Sequence, residues 1–125
     1  MLRDTLVRLY SWDCILQNLH AKARAAREAG RPPGAEGSVA KLLNARLQKG
    51  VAEARMRLIG SRALAWEADD AVASNAAAAF LAAPAASIGG GTDEVQRSIV
   101  GERILGLDRE PSVENGRAFR DLARG

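Results

Sequence analysis

The stretch Leu2-Arg3-Asp4-Thr5-Leu6-Val7-Arg8-Leu9-Tyr10-Ser11-Trp12-Asp13-Cys14-Ile15-Leu16-Gln17-Asn18-Leu19-His20-Ala21-Lys22-Ala23-Arg24-Ala25-Ala26 decides the fold class. Its apolar positions run Leu2, Leu6, Leu9, Trp12 or Cys14, Leu16, Leu19, Ala23 and Ala26, steps of three and four that draw one stripe along a helix. The helix is expected to end near Gly30, because glycine suits the left-handed position after a last turn and Arg31-Pro32-Pro33 cannot continue it. A helix of this length spans ~42 Å, whereas a globule of this chain length has a diameter of ~36 Å. Either the bundle is elongated, or part of the stripe meets something outside this chain.

Working outward, the link Pro32-Pro33-Gly34-Ala35-Glu36-Gly37 leads to a second periodic run, Val39, Leu42, Leu43, Leu47, Val51, Ala54 and Leu58, closing at Gly60. So short a link makes the two helices antiparallel neighbours. Ser61 to Ser74 carries Trp66 and the acids Glu67, Asp69 and Asp70 without clear periodicity and reads as a loop or broken helix. Asn75 to Ala83 is a third helix, with Asn75 as N-cap and Pro84 near its end. Asp93 to Leu105 is a fourth, with Val95, Ile99 and Ile104 inward and Gly106 as its stop. A short helix is expected around Arg117 to Ala123, so residues 1–111 form the bundle and 112–125 a tail. The fold class is all-α, an up-down helical bundle.

Composition agrees. The chain has 125 residues, 47% apolar and 26% charged, which excludes general disorder and suits one domain. Alanine supplies 25 of them and aromatics only five, a mixture for helices packed through small side chains rather than a β-sandwich. The net charge of +3 comes from 15 Arg and 3 Lys scattered among 15 acids, a weak basis for a nucleic-acid partner. Cys14 is the single cysteine, which excludes a disulfide framework or a Cys-based zinc site within one chain. No apolar block of signal-peptide or membrane-span length is visible, so no membrane span and a cytoplasmic location are expected.

Conventional catalytic residues are few. His20 has Leu16, Ala23 and Arg24 as its helical neighbours, which form neither a metal pair nor a nucleophile–base pair, so a structural role is expected. Cys14 lacks the positive cluster that activates a thiolate and reads as a small core residue. Glu67, Asp69 and Asp70 read as solvated acids before a metal site, and no metal is expected. The segment that stands apart is Gly89-Gly90-Gly91-Thr92-Asp93-Glu94-Val95-Gln96-Arg97. Glycines allow close backbone approach, Thr92 is a good N-cap, and the helix start offers free N–H groups and a positive dipole end. Asp93 and Glu94 in that first turn would repel a phosphate, so a hydroxyl-rich or neutral part of a nucleotide fits better. An ordinary glycine-rich turn between two helices is the plainer alternative.

The run from Ile88 through Gly89-Gly90-Gly91-Thr92-Asp93-Glu94-Val95-Gln96-Arg97, then Gly101-Glu102-Arg103-Ile104-Leu105-Gly106-Leu107, resembles the end of the acyl-CoA dehydrogenase C-terminal domain. That family carries a Gly-Thr-Ser-Glu-Ile-Gln-Arg type run followed by Glu-Arg-Ile-Leu-Gly-Leu. A second block, Pro33-Gly34-Ala35-Glu36-Gly37-Ser38-Val39-Ala40-Lys41-Leu42-Leu43, is similar too, in the same order and at similar spacing. The resemblance covers most of Leu2 to Pro111.

The resemblance implies a flavoprotein family with an N-terminal helical domain, a middle β-domain and a C-terminal four-helix bundle. A glutamate base removes the α-proton of an acyl-CoA thioester while the β-hydrogen leaves as hydride to FAD. This chain looks like the last three or so helices of that bundle, its first helix missing. The turn in the family touches FAD, often that of a neighbouring subunit, so Gly91, Thr92, Asp93, Glu94 and, less directly, Gln96 are the implied cofactor-binding positions. The Thr92 hydroxyl would donate to the cofactor, and Glu94 would accept from its ribose or amide groups. In many members the catalytic glutamate immediately precedes the Gly-Thr pair; here that position is Gly90, which has no side chain to take a proton, and other members place the base in the preceding helix. The stretch before the turn, Phe80-Leu81-Ala82-Ala83-Pro84-Ala85-Ala86-Ser87, also lacks the arginines often found there.

Two functions follow. The first is the C-terminal part of an FAD-dependent acyl-CoA dehydrogenase, inactive alone, partnered by a homo-oligomer or a complementary dehydrogenase chain and supplying FAD contacts and subunit packing. The second is a non-catalytic helical interaction module derived from the family.

Overall fold

The computed structural model describes residues 2–32, 34–65 and 69–109. Among them there is no strand; five α-helices and one 3-10 turn follow in order. They are α1 (Leu2–Glu28), α2 (Glu36–Ile59), α3 (Arg62–Ala65), α4 (Ala71–Ala82), the 3-10 turn Ala83–Ser87 and α5 (Asp93–Arg103). The expected all-α architecture is therefore present. The tail from 112 and its short helix lie outside the described residues, as do Trp66 and Glu67.

α1 ends as its sequence requires. Gly30 takes a left-handed φ of 70°, its N–H reaches the Arg27 carbonyl, and the Arg31 N–H reaches back to Ala26. These two bonds satisfy carbonyls that the last turn would otherwise leave open. The chain then reverses, and α2 runs back along α1: the Arg46 guanidinium lies 4.5 Å from the centre of the Trp12 ring, and Leu9 packs against Gly50. A methyl group at Gly50 would meet Leu9 Cδ2 at 2.6 Å, so the absence of a side chain lets the two helices approach here. Leu9 and Leu16 are buried, and Leu19, Ala23 and Ala26 are half-buried on the same stripe; Leu2 and Leu6 are exposed.

α2 is the central element. α1 packs on it, and so do α4, the 3-10 turn and α5. The bundle is thus open, with α1 held chiefly by α2. Because α2 is covered from several directions, its buried residues are the small ones, Ser38, Ala40, Ala45, Ala52 and Ala54, while Val51 and Leu58, expected inside, are exposed. The same holds for α4, whose interior is Ala73, Ala76 and Ala77. Short side chains bring helix axes together, and bulk is carried at the margins.

One helix start and one helix face differ from the sequence expectation. α4 begins at Ala71 rather than Asn75, because the Asp70 carboxylate accepts the Ala73 N–H at 3.1 Å and caps the helix a turn earlier. Asp70 also binds Arg62 of α3 at 2.6 Å, so this member of the acidic group is a cap and an ion-pair partner. Its pKa lies below the usual aspartate value, first through the Ala73 N–H and then through Arg62. α5 is rotated from the face expected: Ile99 is half-buried, but Val95 and Ile104 are 51% and 46% exposed, and the buried residue is Gln96. No helix among the described residues is long and apolar enough to cross a membrane.

Candidate functional site

The turn at 88–92 joins the 3-10 segment to α5, and local chemistry fixes its path. Gly90 and Gly91 take φ of 71° and 95°, conformations that side chains disfavour. Thr92 is extended, and its Oγ accepts the Val95 N–H at 3.3 Å as the N-cap of α5. Gln96, one turn into the helix, donates its side-chain amide to the Gly90 carbonyl at 3.0 Å. A Cβ on Gly91 would come within 2.7 Å of that amide nitrogen, whereas one on Gly90 would meet nothing within 4 Å. Gly91 thus leaves room for the Gln96 amide to reach the Gly90 carbonyl, and Gly90 leaves its backbone open to approach from outside.

The two acids expected to repel a phosphate are differently placed. Asp93 turns back onto α2, where Lys41 Nζ donates to Oδ1 at 3.0 Å and Lys49 Nζ stands 3.7 Å from Oδ2. Lys49 also donates to Ser87 Oγ at 2.6 Å, and the Ser87 hydroxyl is hydrogen-bonded to Asp93. The Lys41 hydrogen bond, then that of Ser87, hold the Asp93 carboxyl below the usual aspartate range. Its side chain is 13% exposed and its charge is neutralised within the protein. Glu94 points outward, paired at 3.5 Å with exposed Arg97. Its pKa is lowered by its own backbone N–H and then by the Thr92 hydroxyl.

Gly91, Thr92, Asp93, Glu94 and Gln96 are thus brought together at one end of the bundle, in two sets. Glu94, 79% exposed, and the Gly90 backbone face outward, and half-buried Thr92 caps α5 beside them; Asp93 and Gln96 face the protein and hold the turn, with Gly91 giving Gln96 its room. Sequence reasoning missed Lys41, Lys49 and Ser87. The available signal was the rarity of lysine in an arginine-rich chain, with two of the three spaced eight residues apart on one face of α2.

Elsewhere, His20 is exposed and Cys14 half-buried on α1, and both border the same shallow groove. No group of three metal-ligating side chains occurs among the described residues. A cleft of about 500 Å³ between α2 and α5 is lined by Val39, Leu42, Leu43, Arg46, Lys49, Asp93 and Arg97, beside the turn.

Neither the curated proteins nor the solved structures gave a match to the chain. The model of one family, acyl-CoA dehydrogenase, C-terminal domain, matches residues 1–105, and the chain belongs to that family.

Proposed function

We propose that this chain serves an FAD-dependent acyl-CoA dehydrogenase, catalysing α,β-dehydrogenation of acyl-CoA thioesters, as the helical part that touches FAD and packs subunits together. The observation that carries this reading is the turn itself: a left-handed Gly90 with open space around it, flanked by Thr92 and outward Glu94 and braced from within by Gln96 and Asp93. Gly91 and Thr92 offer backbone and hydroxyl groups to the cofactor, and Glu94 offers a carboxylate to its hydroxyl or amide groups. FAD, when bound, supplies the hydride acceptor. Asp93 and Gln96 act behind the contact surface, keeping its shape.

Gly90 stands at one family position for the base that takes the α-proton and has no side chain to serve as one, so the turn contributes cofactor contacts and not the base. The proposed partner is a second copy or a complementary dehydrogenase chain. Exposed apolar side chains on α1, with Tyr10 at 70% and Val7 at 59%, support packing against such a partner. The same face also favours the second reading, a helical interaction module without catalysis.

A few polar contacts at about 1 kcal/mol each fall short of the several kcal/mol that association costs. The purified chain, given FAD at low micromolar concentration, acyl-CoAs and an electron acceptor, is therefore expected to show neither a bound-flavin spectrum nor turnover. Adding the complementary dehydrogenase domains should produce both. Turnover by the chain alone would overturn the division of labour proposed here, and a complemented enzyme indifferent to Thr92→Val and Glu94→Ala would favour the interaction module.

A further inference from the structure

The turn is fastened at both ends to the same helix, by Lys49 at one end and by Lys41 and Lys49 at the other. Ser87 is the last residue of the 3-10 segment before the turn, and Asp93 is the first residue of α5 after it. Lys49 binds Ser87 Oγ at 2.6 Å and stands 3.7 Å from Asp93, while Lys41, two turns earlier on α2, binds Asp93 at 3.0 Å. The Ser87 hydroxyl completes the cluster by hydrogen-bonding the Asp93 carboxylate. Two lysines thus close a five-residue turn across its base. We propose that Lys41 and Lys49 are positioning residues for the 88–92 turn, fixing its two ends on α2 through Asp93 and Ser87 so that its outer edge is ordered before any ligand arrives.

Three features support this role. The lysines approach from α2, the element on which α1, α4, the 3-10 segment and α5 all pack, so the turn is tied to the centre of the fold. Within the turn, Gly89, Gly90 and Gly91 have the widest backbone freedom, and three untied glycines would sample many shapes. Charge-assisted hydrogen bonds at partly buried positions are the strongest non-covalent ties available for such a task, and the Lys41 and Asp93 side chains are 19% and 13% exposed. Lys41 and Asp93 are also 52 residues apart in sequence, so the tie reports tertiary structure, not local propensity.

The functional weight of this clamp rests on the turn being the cofactor-facing edge, but the clamp can be measured in the free chain. Amide hydrogen exchange has reporters on both sides: Ile88 and Gly89 N–H groups bond Ala85, and Val95 and Gln96 N–H groups bond Thr92. Lys41→Met and Asp93→Asn should speed exchange at Val95 and Gln96 by roughly tenfold, and Lys49→Met should do so at Ile88 and Gly89, with α1 amides around Leu16 unchanged. Lys41→Arg, which keeps the cation, should restore most of the protection at Val95 and Gln96. Unchanged exchange in the reporters, or equal acceleration in α1, would overturn the proposal. Should Lys41→Met fail to fold, Lys49→Met at a 40% exposed side chain carries the same test. Loss of protection in these variants while FAD leaves the wild-type turn undisturbed would uphold the clamp and reject the cofactor reading.

Discussion

The Gln96 side-chain amide donates to the Gly90 carbonyl across 3.0 Å, so the buried residue of α5 holds the most open residue of the turn that precedes it. A helix of only 11 residues thereby shapes the loop before it as well as its own packing. Replacing Gln96 by Met keeps much of the volume and removes the donor. The expected loss is about 1 kcal/mol, the usual net value of one hydrogen bond, read by chemical denaturation. An unchanged midpoint would mean that the Gly90 carbonyl is equally well served by water.

The neighbouring glycines separate two causes of cost. Gly91→Ala combines a disfavoured φ of 95° with a contact of 2.7 Å on the Gln96 amide nitrogen, whereas Gly90→Ala, at φ 71°, meets no atom within 4 Å. Backbone strain costs about 1 kcal/mol at either position, and at Gly91 the methyl group must also push the Gln96 amide off its hydrogen bond, about 1 kcal/mol more, so Gly91→Ala should be the more destabilising. Thermal unfolding of the two variants side by side checks the order.

Acid sensitivity follows from the two depressed aspartates. Asp93, faced by Lys41, Lys49 and Ser87 with Arg46 and Arg97 lining the same cleft, and Asp70, faced by Arg62 and the Ala73 N–H, both bind protons more weakly folded than unfolded. Their contribution is complete above the unfolded value of about 3.9 and disappears as pH falls through the lower folded values. Stability should stay level from neutral pH down to about pH 5 and drop beneath about pH 4. Asp93→Asn and Asp70→Asn should each flatten that acid limb; an unaltered limb in both would contradict the assignment.

Exposed Leu6, Val7 and Tyr10 on α1 give a helix that is apolar on more than its α2-facing stripe. Sedimentation should therefore show self-association that rises with concentration, and Val7→Lys with Tyr10→Lys should shift the chain toward monomer. A monomer at high micromolar concentration would count against packing through this face.

The helices were legible wherever periodicity and punctuation agreed. α1 and its glycine stop follow from the three/four stripe and from Arg31-Pro32-Pro33, and the hairpin follows from the short link. Facing was legible only where one side is buried. Leu9 and Leu16 lie inside as expected, but α2 is covered from several directions, so alanines took the interior and Val51 and Leu58 were left outside. The start of α4 was misjudged because Asp70 stands in a group of acids that reads as solvated, and its cap bond is visible only in three dimensions. In α5, apolar content pointed to Val95, Ile99 and Ile104; Ile99 is half-buried, yet the tie of Asp93 to α2 and the bond of Gln96 back to Gly90 leave Val95 and Ile104 exposed. The turn residues themselves were legible from glycine and capping chemistry and from the family resemblance. Their braces on α2 were not, because a contact across 52 residues leaves no local pattern.

The central claim is that the outer edge of the 88–92 turn meets FAD, and backbone amide shifts of the labelled chain during titration with millimolar FAD test it most directly. Shifts are expected to concentrate at Gly90, Gly91, Thr92 and Glu94 and to weaken in Thr92→Val and Glu94→Ala, with α1 silent. Shifts absent from the turn, or centred on the α1 face, would contradict it.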